Sequence, residues 1–169
     1  MTTISRILTG VVAIAAAVVG VAASPTLDGV RHDDATTRVG TTGLDPGLRA
    51  AIRRATDAAA ADGVTVRITS GWRSPAHQRR LLAAAVEEYG SEEEAARWVA
   101  TPETSPHVQG EAVDIGPYDA MDWMSRHGSA FGLCQIYANE PWHYEVRPRA
   151  VEDGCPAAYD DPTQDPRMR

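Results

Sequence analysis

The sequence predicts an α+β domain built on a small antiparallel sheet. Three observations carry this reading. Apolar residues recur at helical spacing after residue 44, Val64, Val66 and Ile68 alternate with polar neighbours, and short apolar runs punctuated by Gly and Pro fill the second half. The 169 residues suffice for one domain with its own core and are too few for two ordinary ones.

The elements follow in order. Residues 24–43, rich in Thr, Asp and Gly, read as a linker, and the domain is expected over residues 44–169. Asp45 is an N-cap and Pro46 a first helical residue. Leu48, Ile52 and Ala55 mark that helix's apolar face, and Asp62-Gly63 ends it. Residues 64–69 form a strand, Ser70-Gly71-Trp72-Arg73 turns the chain, and Ser74-Pro75 opens a second helix running to Gly90. Ser91 with Glu94 makes a capping box for a short third helix ending near Val99. Residues 101–106, with two prolines, should be irregular. Residues 112–115 read as a strand and residues 120–127 as a helix stopped by Gly128. Residues 134–137 and 142–146 read as two further strands, and the tail from Pro156 as a wrap without regular structure. No internal repeat is visible.

Composition narrows the class of function. With 43% hydrophobic and 23% charged residues the chain is an ordinary globular one, which sets aside wholesale disorder and fibrous repeats. All 16 basic residues are Arg, and 23 acids bring the net charge to −7. A globally acidic chain lacks the basic footprint that a phosphate backbone requires, so nucleic acid is not an expected partner.

The first 23 residues point to export. Arg6 is the only charge before the apolar run of residues 7–23, which closes on Val21-Ala22-Ala23 ahead of Ser24-Pro25. A basic start, an apolar centre and a small-residue end describe a secretory signal peptide. The run also reaches the lower limit of a membrane span, so an uncleaved anchor is the alternative, and the membrane would then be met only through this segment. Gly10, Gly20 and the Val21-x-Ala23 ending favour cleavage. In an oxidising compartment Cys134 and Cys155 are most simply one disulfide, which the loop-entropy model values at ~3 kcal/mol. Their spacing lacks the C-x-x-C pattern of zinc-thiolate sites.

The stretch from His107 to Asp114 is the most informative for chemistry. The two side chains converge only if the chain turns between them, and Gly110 stands where that turn is needed. Glu140-Pro-Trp-His143 supplies a second imidazole, and Pro141 can lift Glu140 out of a strand ladder toward the same point. Two histidines and one carboxylate are a recurring catalytic zinc shell with a fourth position for water, and a further carboxylate can act as base. Each residue has a plainer reading: His143 packed on a Trp, Asp114 capping a turn before Gly116-Pro117, Glu140 a surface charge. His32, His77 and His127 show that histidine is not reserved for function. The combination of four suitable side chains with the breaks that let them meet favours a site.

These residues also carry a family resemblance. Ser105-Pro-His107-Val-Gln-Gly110-Glu-Ala112-Val-Asp114 matches an S-x-H-x-x-G-x-A-x-D pattern and Glu140-Pro-Trp-His143 an E-P-W-H pattern. Ser70-Gly71-Trp72-Arg73-Ser74 matches S-G-[YW]-R-S. Over residues 44–146 the chain thus resembles the VanY-like zinc D-alanyl-D-alanine carboxypeptidases, whose metallopeptidase fold is LAS-type or hedgehog-like. The resemblance implies helices mainly on one side of the sheet and one zinc ion in a cleft on it. It implies His107, Asp114 and His143 as zinc ligands and Glu140 as general base. Arg73 would face the substrate, polarising the scissile carbonyl, stabilising the oxyanion or holding a terminal carboxylate. Gln78 and Ser105 would line the pocket.

The expected reaction is hydrolysis of the D-Ala-D-Ala bond in peptidoglycan stem peptides by an exported monomer. A peptidoglycan endopeptidase or D,D-dipeptidase of the same fold is the alternative within this class. A non-catalytic zinc-containing wall-binding module is the alternative outside it, disfavoured because a structural zinc has no use for Glu140.

Overall fold

In the computed structural model, residues 41–168 are described; the expected signal or anchor at residues 1–23 and nearly all of the linker lie outside them. Among the described residues no helix is long and apolar enough to cross a membrane.

Helix α1 spans Pro46–Ala61. Its N-terminus forms as expected, with Asp45 Oδ1 accepting from the amides of Gly47 (2.7 Å) and Leu48 (3.1 Å). Strand β1 is Arg67–Ser70, shorter than expected and displaced toward the C-terminus. The reason is local: the Val64 amide bonds Ala59 O at 2.8 Å, so it closes α1 instead of entering a ladder. Helix α2, Pro75–Tyr89, is capped by Ser74 and ended by Gly90 in the left-handed conformation, φ 84°. Helix α3 is only Glu92–Ala95. Ser91 Oγ caps it, but Glu94 turns toward Arg97 (3.6 Å) instead of closing the box, and the helix ends well before Val99.

Residues 101–106 were expected to be irregular, yet Pro106 opens a one-turn helix α4, Pro106–Gln109. Strand β2, Ala112–Gly116, and helix α5, Tyr118–His127, come next. Gly128 does not stop the helix. Its φ of −58° is helical, and a 3₁₀ turn, Gly128–Phe131, continues to Gly132, whose φ of 77° reverses the chain. A Cβ on Gly128 would lie 2.7 Å from Leu133 O, so close packing explains the glycine. Strand β3 is Leu133–Gln135 and β4 is His143–Val146. Ile136 and Tyr137 leave β3 early because they bond the C-terminal segment: Tyr159 N donates to Ile136 O and Tyr137 bridges Tyr159 in parallel. A short helix α6, Ala150–Asp153, precedes the tail, and the tail from Pro156 is more regular than expected, with 3₁₀ turns at Pro162–Gln164 and Pro166–Met168.

The four strands form one antiparallel sheet in the order β1-β2-β4-β3. Alternation along β2 and β4 divides the sheet's two faces. Val113, Ile115, Tyr144 and Val146 pack with Leu48, Ile52, Ala55, Trp123 and Met124 from α1 and α5, so the main core lies on one side, as expected. Each fully buried Leu or Ile there contributes on the order of 1.5–3 kcal/mol. The other face carries Asp114, His143 and Glu145, all buried. There the Cys134–Cys155 disulfide forms as expected, tying β3 to the C-terminal segment.

Candidate metal centre

Asp114 and His143 are directly opposite each other in the β2–β4 ladder, so the register alone brings their side chains together. His107 arrives from α4. Gly110 ends that helix at φ 78°, and a Cβ there would strike the carbonyl oxygen of Gly43, so glycine is required both for the turn and for the close approach. His107 is also sewn to the segment after β1, because Arg73 N donates to His107 O at 3.1 Å and Trp72 Nε1 to Val108 O at 3.0 Å. A bulge between Ile68 and Ser70 sets Ser70 opposite Asp114, which delivers Arg73 to the same carboxylate.

Three atoms converge. His107 Nε2 lies 3.2 Å and His143 Nδ1 3.3 Å from Asp114 Oδ1, and the two ring nitrogens are 3.3 Å apart. Asp114 Oδ1 is nevertheless buried without a hydrogen bond of acceptable geometry. A buried carboxylate oxygen left in this state is costly unless a further group fills the centre. The other ring nitrogens are already committed. His107 Nδ1 must donate to Gly71 O (2.8 Å), since a carbonyl only accepts, and His143 Nε2 donates to Glu145 Oε1 (3.3 Å). That leaves His107 Nε2 and His143 Nδ1 as the nitrogens beside Asp114 Oδ1, and a bond fixing the opposite ring nitrogen is what metal-binding histidines require. Among the described residues, His107, Asp114 and His143 form the group able to hold a metal ion.

The electrostatics favour a cation at this point. Burial alone would raise the Asp114 pKa, but the two imidazoles beside it, His107 and His143, hold it well below the usual carboxylate range. Burial lowers His107. It also opposes a charged His143, yet the carboxylates of Asp114 and Glu145 beside the ring outweigh it and raise its pKa. Glu140 stands beside this group on the turn before β4, with Oε2 3.6 Å from His143 Nδ1, because Pro141 keeps the segment out of the ladder. Burial raises the Glu140 pKa to about 7, with His143 opposing and Asp114 adding to the shift.

A cleft opens over the group, lined among others by Arg73, Gln78, Trp98, Ser105, Pro162 and Met168. Arg73 donates from Nε to Ser70 Oγ (2.9 Å), from Nη1 to Gln78 Oε1 (3.3 Å) and from Nη2 to Asp114 Oδ2 (2.6 Å). These engage three of its five N–H groups and leave two for a ligand. Gln78 is buried, its Nε2 donating to Ala100 O at 2.9 Å. Ser105 is buried at the start of α4 but its side chain does not cap that helix. All seven residues singled out in the sequence therefore meet here. Sequence reasoning missed Glu145, although two positions along a strand from His143 places it on the same face. It also missed Tyr137 and Arg167, which no local pattern marks.

An α+β fold presenting two histidines and a carboxylate on the open face of its sheet, with a second carboxylate alongside, has the site plan of a metallopeptidase. Residues 41–149 match the family model described as VanY, D-alanyl-D-alanine carboxypeptidase, and the chain belongs to that family. It is 34% identical over 113 residues to a D-alanyl-D-alanine carboxypeptidase of Enterococcus faecalis, a match covering 52% of this chain and 42% of that protein, so it spans under half the relative's length. Among solved structures it resembles a vancomycin-resistance D,D-pentapeptidase VanY variant in complex with Zn(II). That likeness has a TM-score of 0.57 and 30% identity, covering 61% of this chain and 72% of the other. It also resembles VanYB in complex with D-alanine-D-alanine, with a TM-score of 0.60 and 29% identity over 66% and 74% of the two chains.

Proposed function

We propose that this chain is an exported zinc-dependent D,D-carboxypeptidase that hydrolyses the D-Ala-D-Ala bond of peptidoglycan stem peptides as a monomer. The observation that carries the reading is Asp114 Oδ1, buried and unsatisfied between His107 Nε2 and His143 Nδ1 with Glu140 beside them. His107, Asp114 and His143 hold one zinc ion, for which their two nitrogens and one carboxylate oxygen are a fitting donor set. Zinc in such a shell supplies Lewis acidity, polarising a carbonyl and lowering the pKa of water.

The chain's own residues do the rest. Glu140, poised near neutrality by burial, takes a proton from the attacking water and returns it to the leaving amine. Arg73 offers its two uncommitted N–H groups to the oxyanion or to the substrate's terminal carboxylate. Gln78 holds Arg73 in place from behind, and the buried Ser105 lines the cleft wall. Residues 1–23 carry the protein to the wall.

The test is incubation of the zinc-loaded full chain with stem pentapeptide, read by mass spectrometry beside Glu140→Ala. Loss of one terminal D-Ala from the wild type alone is expected, with Glu140→Ala still binding zinc and at least about 10²-fold slower. Two internal fragments would make the enzyme an endopeptidase, and release from neither form would leave a wall-binding module.

A further inference from the structure

We propose that Arg167 is a positioning residue of the metal centre, holding His143 through Glu145, so that the C-terminal strap of residues 155–168 is a working part of the site. This rests on the metal-binding reading given above. Arg167 grips Glu145 with both arms, Nη1 to Oε2 at 2.7 Å and Nη2 to Oε1 at 3.1 Å. Glu145 is 1% exposed, and its Oε1 accepts the Nε2–H of His143. Arg147 also reaches Glu145, but only at Oε2, 2.9 Å. One contact on one oxygen neutralises charge and leaves the carboxylate free to rotate; a bidentate fork fixes its plane, and with it the direction of the His143 ring.

The strap reaches the same ring a second way. Tyr137 packs on His143, ring centroids 5.1 Å apart, and its hydroxyl donates to Asp165 Oδ2, which pairs with Arg167. The strap is fastened at its start by Cys155 and in its middle by Arg97 with Asp161 (3.0 Å), and its Pro162 and Met168 line the cleft. All of it lies beyond residue 149, where the match to the family ends. His107, Asp114, His143 and Glu145 thus lie inside the matched segment, while Arg167 and Asp165, which hold Glu145 and Tyr137, lie outside it.

The experiment measures zinc affinity of the full chain by competition with a chromophoric chelator, and the visible spectrum of the Co(II)-substituted protein. Arg167→Met should weaken zinc binding about ten- to a hundredfold and shift the cobalt bands, as loss of outer-shell partners does. Arg167→Lys, which restores charge without the fork, should recover the fold but not the spectrum. Glu145→Gln/Asp165→Asn/Arg167→Met, which removes both buried carboxylates that Arg167 pairs, should lose affinity to the same extent. Wild-type affinity and spectrum in either Met variant, full recovery by Lys, or unfolding of the triple variant would each overturn the proposal. Failure of the wild type to bind either metal would instead overturn the metal-binding reading itself.

Discussion

Arg73 Nη2 lies 2.6 Å from Asp114 Oδ2, on the carboxylate oxygen opposite the one that faces His107 and His143. The guanidinium therefore fixes the carboxylate's outer oxygen and, through Ser70 and Gln78, is itself fixed on the cleft wall. On the proposed function this gives Arg73 a double duty: support of the Asp114 ligand with some donors and contact with substrate through the others.

Arg73→Lys separates the two duties. One ammonium cannot serve Ser70, Gln78 and Asp114 and still present a planar pair of donors. Turnover of stem pentapeptide should fall about 10²–10³-fold, the usual cost of an oxyanion donor, with zinc still bound in full. D-alanine release and metal analysis check this. Loss of zinc with the turnover per bound zinc intact would assign Arg73 to ligand support alone.

Much of this was legible in the sequence because local chemistry decided it. Asp45-Pro46 and Ser74-Pro75 made the helix starts, and Gly110 the turn that returns His107 to Asp114. The same Ser-Pro signal at Ser105-Pro106 opened α4, but the neighbouring Pro102 and small polar residues masked it. Strand ends were set by partners distant in sequence. Val64 was captured by α1, and Tyr137 by Tyr159. Arg167 and Asp165 could not be read at all, since their importance comes from where the strap lands and not from any pattern around them.

The strap's attachment predicts a stability effect. The Cys134–Cys155 bridge closes a segment of 21 residues in sequence separation, which the loop-entropy model values at about 3 kcal/mol. Replacing both cysteines by Ala should lower the urea unfolding free energy by about 2–4 kcal/mol, with reduction of the wild type giving a similar loss. An unchanged midpoint would mean that the ion pairs at Asp161 and Glu145 hold the strap unaided.

Asp165 makes that attachment pH-dependent. It is 1% exposed; burial alone would raise its pKa, but bonds from the Arg167 side chain and backbone and from the Tyr137 hydroxyl hold it below the ordinary carboxylate value. A carboxyl group whose folded pKa is depressed stabilises fully above its unfolded value, about 3.9, and loses that contribution as pH falls through the folded value. Asp165→Asn removes the charge at every pH. The variant should be about 1.5–3 kcal/mol less stable than wild type at pH 7, and the gap should narrow below pH 4 as the wild type takes up the proton. Urea unfolding at pH 7 and pH 3, with the disulfide intact, measures both. A gap of equal size at the two pH values would show that Asp165 contributes through packing and neutral hydrogen bonds, and that its charge does not help hold the strap.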